Sequence, residues 1–173
     1  MNLVALGDIK MKCALVSFLI VILLSSFAFG QLPAFPTAEG YGAAATGWRG
    51  GQVIHVTNLN ATGPGSFQAA LDVNAPRIVV FDVSGEINAN PFLRNPDIYI
   101  AGQTAPGAGI TINGMFSSIW QNVDSPDYPR FPPLHDVVIR HIRVRATGPG
   151  GSSGDCFQLP DINRLMLDHV SAA

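Results

Sequence analysis

Asp136-Val-Val-Ile-Arg140-His141-Ile-Arg143-Val-Arg145 changes face in its middle. Val137 and Ile139 share one parity, and Ile142 and Val144 share the other. Side chains along a strand alternate with a period of two. The apolar set can therefore stay on one side only if the chain turns a corner at Arg140-His141.

Three other stretches have the same shape: Arg77-Ile-Val-Val-Phe-Asp82, Asp97-Ile-Tyr-Ile-Ala101-Gly102 and Asn163-Arg-Leu-Met-Leu-Asp168-His169-Val170. Each opens on a polar residue, runs apolar, breaks at a small or polar pair and resumes. Repeated strand-and-corner units in one short chain predict a stacked solenoid. The intervals are uneven: Val79 to Ile98 is 19 residues, Ile98 to Val137 is 39 and Val137 to Leu165 is 28. A coil with loops of variable length fits them; a strict short-period repeat does not. Parallel strands separated by whole coils, each turning at one place, describe a β-helix, with neighbouring strands about 4.8 Å apart. Stacking the corners puts Ala101, Arg140 and Asp168 in one column and Gly102, His141 and His169 in the next. Arg140 and Asp168 then form an ion pair, and the two imidazoles stack. Polar groups in a solenoid must be paired whatever its function, so Arg140, His141, Asp168 and His169 read as a structural ladder.

The chain has 173 residues. Lys10 and Lys12 precede an apolar run from Cys13 to Phe29 that ends in Ala28-Phe29-Gly30. This is the pattern of a secretory signal peptide over residues 1–30, cleaved before Gln31. The run is short for a membrane span. The mature chain, residues 31–173, is one domain by length, secreted and without membrane attachment. It contains no lysine, and its eight arginines face eleven acidic residues. That balance argues against a nucleic-acid partner bound through phosphate neutralisation. Cys156 is left alone after cleavage, which excludes an intramolecular disulfide and a cysteine-based zinc site.

Gly40-Tyr-Gly-Ala-Ala-Ala-Thr-Gly-Trp-Arg-Gly-Gly51 lacks the Gly-Lys-Ser/Thr of a phosphate loop and reads as a tight approach to the first strand. That strand is expected over 52–58. Ser66 can cap a helix over 66–73, followed by Pro76. Further strands are expected at 77–83, 97–100, 110–112, 136–145, 155–159 and 164–170. Residues 114–135 carry four prolines and read as an insertion rather than a central strand.

Several segments together resemble the pectate lyase superfamily, specifically secreted polysaccharide lyases related to family one. They are Phe35-Pro-Thr-Ala-Glu-Gly-Tyr-Gly-Ala-Ala-Ala-Thr-Gly47, Arg49-Gly-Gly-Gln-Val-Ile-His-Val-Thr-Asn58, Gly63-Pro-Gly-Ser-Phe-Gln-Ala-Ala-Leu71, Arg77-Ile-Val-Val-Phe-Asp-Val-Ser-Gly85, Ile100-Ala-Gly-Gln-Thr-Ala-Pro-Gly107, Val138-Ile-Arg-His-Ile-Arg-Val-Arg145 and Leu167-Asp-His169. The resemblance covers nearly all of the mature chain. It implies an all-β fold, a right-handed parallel β-helix with a short N-terminal capping α-helix. It also implies calcium-dependent β-elimination on polygalacturonate, an acidic polysaccharide. In that chemistry calcium bridges the uronate and protein carboxylates and acidifies the C5 proton, and an arginine serves as base.

By the same resemblance, Asp155 corresponds to a calcium-binding aspartate just after the glycine loop. Its partner carboxylates are expected on later coils, where this chain reads Val170-Ser-Ala-Ala173. The base arginine is expected in an Arg-x-Pro-x-x-Arg pattern. Arg130-Phe-Pro132-Pro-Leu-His135 and Arg94-Asn-Pro96-Asp-Ile-Tyr99 begin like it and finish differently. No catalytic residue is therefore expected within residues 31–173. The domain reads as C-terminally truncated, with negligible activity on its own. Arg143 and Arg145 alternate outward and are candidates to contact uronate carboxylates, or simply solvate a strand edge. The alternative reading is a non-catalytic β-helix that binds acidic polysaccharide. Hydrolysis would need clustered aspartates, and Asp155, Asp161 and Asp168 are scattered by parity. An open last coil would recruit other chains, so self-association is also expected.

Overall fold

A computed structural model describes residues 32–120, 133–147 and 154–173. The expected signal peptide lies outside them, as do Pro126, Pro129, Pro132 and most of the glycine loop. The chain winds through three sheets. Sheet A holds β1 (Gln52–Val56), β2 (Arg77–Phe81), β5 (Ile98–Ala101), β8 (Leu134–Arg140) and β11 (Ile162–Asp168), side by side in that order. Sheet B holds β3 (Gly85–Ile87), β6 (Ile110–Asn113), β9 (Ile142–Arg145) and β12 (Ser171–Ala172). Sheet C holds β4 (Phe92–Leu93), β7 (Phe116–Ser118) and β10 (Phe157–Gln158). The pairings within each sheet are parallel. From β2 onward the chain visits A, B and C in turn before returning to A, while β1 leads to β2 without a strand of B or C between them, so the fold is a parallel β-helix.

The register corrects one alignment. Ile98 pairs with Val137 and Val137 with Leu165, as the spacing predicts, but Val79 pairs with Ile100 rather than Ile98. A slip of two leaves every side chain on its own face, so parity in the sequence is blind to it. The last repeat keeps one interval throughout: Asn163 pairs with His135 and Leu165 with Val137, so Arg164, and not the opening Asn163, falls in the column of Asp136. The stretch at 114–135 is not all insertion, because Phe116–Ser118 and Leu134–His135 lie in strands. β3, β4 and β7 are two or three residues long, too short to show a period.

The inward residues stack coil on coil. Val79, Ile100 and Ile139 form one column, and Ile87, Ile112 and Val144 another; all are at most 1% exposed. Burying each such side chain stabilises the fold by about 1.5–3 kcal/mol before the entropy cost. Helix α1 (Phe67–Asp72) starts where expected: the Ser66 hydroxyl accepts from the Ala69 N–H at 3.2 Å. It adds Phe67, Ala70 and Leu71 to the core and packs on β1 and β4, the edge strands of sheets A and C. The Phe67 ring lies 5.5 Å from Phe81 and 5.7 Å from Phe116.

Residues 32–51 run across the outside of sheet A. Ala45 and Trp48 are buried there against Val138 and Met166, with Ile78 and Tyr99 beside them. This explains why sheet A strands are apolar on both faces: both are covered. The close approach depends on glycine at either end of this strap. A Cβ on Gly42 would stand 2.1 Å from the Leu165 carbonyl oxygen, and one on Gly51 2.1 Å from that of Pro76.

Candidate functional site

The ladder forms at the corner between sheets A and B. Ala101, Arg140 and Asp168 are in register. Arg140 Nε donates to Asp168 Oδ2 at 2.5 Å, and its NH1 donates to the Tyr99 hydroxyl at 3.1 Å. The Phe35 ring covers the guanidinium at 3.9 Å, a cation–π contact that closes it from the strap side. His141 and His169 both have left-handed backbone (φ 53 and 52), which makes the corner. Their rings stack at 4.5 Å. His169 Nδ1 lies 2.9 Å from Asp168 Oδ1. Burial pushes the Asp168 carboxyl up, but the hydrogen bonds from His169 and Arg140 outweigh it and hold the pKa below the ordinary value. Burial, then His169, then Arg140 push the His141 imidazole down against the opposing pull of Asp168.

A second cluster was not anticipated from the sequence. Asp97, Asp136 and Arg164 occupy one column of sheet A, and all three have positive φ (58, 54 and 60). Left-handed backbone costs an L-residue about 1–2 kcal/mol, so the contacts made there must be worth that. Asp136 is 4% exposed. Its Oδ1 accepts from the Thr46 N–H at 2.9 Å and from Arg164 Nε at 2.8 Å; its Oδ2 accepts from Arg164 NH2 and lies 3.0 Å from His135 Nδ1. Asp97 Oδ1 lies 3.3 Å from the same His135 nitrogen. Burial raises the Asp136 pKa, yet the Arg164, Thr46 and His135 hydrogen bonds and the Arg164 charge bring it down to about 2. The cluster ties the strap to three successive coils. The available signal was the aspartate opening two repeats, Asp97 and Asp136, and the interval from Val137 to Leu165, which carries Asp136 onto Arg164; the polar residue opening the last repeat, Asn163, lies one position earlier and masks it.

His141, Asp168 and His169 form one group whose ligating atoms lie within 4.8 Å of one another, and Asp97, His135 and Asp136 form another. In each, the carboxylate that would attract a cation already has a guanidinium on it, Arg140 or Arg164. Both groups act as electrostatic cross-links between coils.

Asp155 lies elsewhere, exposed just before β10, where its Oδ2 accepts from Gln158 Nε2 at 2.8 Å. Among the described residues it belongs to neither cluster of ligating side chains. A single carboxylate does not satisfy calcium, which takes six to eight oxygens, so the described residues do not build that site. Arg143 and Arg145 lie on sheet B and are occupied. Arg143 donates to the Thr111 hydroxyl at 2.9 Å and the Ala108 carbonyl at 2.6 Å. Arg145 donates to the Val144 carbonyl at 2.9 Å and to Ser171. The structure pairs neither arginine with Asp155.

A parallel β-helix with an Asp-His corner column is the class that this geometry defines. Comparison with known proteins narrows it. The chain is 44% identical to the probable pectate lyase C of Aspergillus fumigatus over 158 residues, covering 88% of this chain and 34% of that protein. Identity to the probable pectate lyase C of Emericella nidulans is 44% over 144 residues, and to that of Aspergillus terreus 39% over 143 residues, each covering 82% of this chain and 31% of the relative. No protein-family model matches. The chain is thus related to the pectate lyase superfamily, and it spans about a third of the length of the curated relatives it matches.

Proposed function

We propose that the protein is a secreted, pectate lyase-like β-helix that acts on polygalacturonate by calcium-dependent β-elimination. The observation that carries this reading is the likeness to probable pectate lyases over 88% of the chain, with which the parallel β-helix is consistent. Elimination at a uronate needs the C5 proton acidified and removed. Asp155 is the one metal ligand we assign within this chain. Arg143 and Arg145 remain proposed contacts for uronate carboxylates, and each would have to exchange an internal hydrogen bond for one to substrate. With one carboxylate and no assigned base, the 173-residue chain by itself is expected to turn over negligibly. Secretion follows from residues 1–30; among the described residues no helix is long and apolar enough to cross a membrane. The test is to follow the ultraviolet absorbance of unsaturated uronides when the purified chain meets polygalacturonate with calcium or with a chelator. A calcium-dependent rise well above buffer would overturn the expectation of negligible turnover. Glycan binding without any rise, unchanged in Asp155→Ala, would favour a non-catalytic binding protein.

A further inference from the structure

The turn after β1 carries a feature that neither the fold nor the lyase reading uses. Asn60-Ala61-Thr62 is an Asn-x-Ser/Thr triplet without proline in the middle, and the pattern occurs nowhere else in the 173 residues. Such a triplet accepts an N-linked oligosaccharide in a chain that enters a eukaryotic secretory route. The sugar is added as the chain enters the lumen, before folding is complete, so the folded state must have room for it. This fold does. Asn60, Ala61 and Thr62 are all exposed. The turn is held by its flanks. The Thr57 N–H donates to the Gly65 carbonyl at 2.9 Å, Asn58 Nδ2 donates to the Pro64 carbonyl at 2.9 Å, and Asn58 Oδ1 accepts from the Asn60 N–H at 3.1 Å. Leu59 anchors the turn against the core, where a Cβ on Gly85 of β3 would stand 2.8 Å from its Cδ1. Asn58 thus spends both ends of its amide on the turn, and Asn60 spends neither. Among the described residues, neither the Asn60 carboxamide nor the Thr62 hydroxyl has a hydrogen-bond partner. A bulky, hydrated group on Asn60 displaces no contact of the folded chain.

We propose that Asn60 is a modification site that carries an N-linked oligosaccharide. The donor is an oligosaccharide on a polyprenyl pyrophosphate. Asn60 Nδ2 bonds to C1 of its first sugar, the C1–O bond breaks, the pyrophosphate leaves with the electron pair, and the amide proton passes to a base of the transferase. The proposal rests on the secretion reading above and on a eukaryotic host, as for the relatives from Aspergillus and Emericella. The test expresses the full chain in an Aspergillus host in two forms, one with residues 1–30 as they stand and one with the host's own leader in their place. The readout is the mass of the tryptic peptide spanning 50–77, which holds the triplet, before and after an amidase that releases N-linked sugars and converts Asn60 to aspartate. Medium and cell extract are both read, so a variant retained in the cell still reports. The expected result is an oligosaccharide on that peptide, removed by the amidase, absent in Asn60→Gln and Thr62→Ala and retained in Thr62→Ser. A bare peptide from the chain carried by the host's leader, or sugar persisting in Asn60→Gln, would overturn the site. Export with residues 1–30 but without sugar refutes the site and leaves the secretion reading. Sugar on the host-led form, with no export of the form carrying residues 1–30, supports the acceptor turn and counts against the secretion reading.

Discussion

Arg77 is wholly buried, yet every N–H of its guanidinium has a carbonyl to donate to: Ala70 and Leu71 of α1, and Ala75, Asn95 and Pro96 beyond it. Burial lowers its pKa to about 10 against the raising pull of Asp97 and Asp72, so it stays charged at neutral pH. Arg77→Met would leave several buried carbonyls unsatisfied and is expected to cost about 3–5 kcal/mol in urea unfolding. Arg77→Lys should not restore the loss, since an ammonium cannot span five acceptors. Asp136 supplies a pH dependence. Its folded pKa, about 2, lies below the ordinary carboxylate value, so its contribution is complete above about pH 4 and is lost as pH falls toward 2. The contribution is about 2 kcal/mol by linkage. Asp136→Asn should therefore lower stability at neutral pH and flatten its decline between about pH 4 and pH 2, as read by urea midpoints. The ladder was legible at this scale because Arg140, His141, Asp168 and His169 follow from the corner alone. The Asp136 cluster was not, because the last repeat opens on Asn163, one position before the residue that reaches Asp136.

At the scale of elements, the strap and the helix close different surfaces. Helix α1 announced itself locally: a capping serine, helix-forming residues and a following proline all lie within a dozen positions. Ser66→Ala should cost about 1 kcal/mol through the lost cap. The strap carries no comparable signal, since Tyr41–Ala44 is a single short turn and its meaning depends on what lies under it. Gly42→Ala would drive a methyl into the Leu165 carbonyl and is expected to cost about 1–3 kcal/mol. Proteolytic cutting near residues 41–48 should rise in that variant before global unfolding does. The outward apolar residues Tyr99, Val138 and Met166 were the only hint of the strap, and a buried parallel sheet gives the same pattern when helices cover it.

Across the whole molecule, sheet A presents β11 at one edge, with Leu167 on it 43% exposed. Residues 32–173 taken by themselves leave a parallel edge uncovered beside exposed apolar surface, an arrangement that recruits other chains. Sedimentation of the purified chain should show association that rises with concentration; a concentration-independent monomer would refute that expectation. By itself the sequence determined that the chain is a β-helix, because the parity change at Arg140-His141 and the repeated apolar runs are local consequences of backbone period. It also determined the corner ladder and the helix start, where the partners share a column or a turn. Only the tertiary structure decided the register at Val79, the strap over sheet A and the Asp136 and Arg164 cross-link. Each of these depends on which distant residues come to lie side by side. A slip of two along a strand changes those neighbours and leaves the alternation of faces untouched.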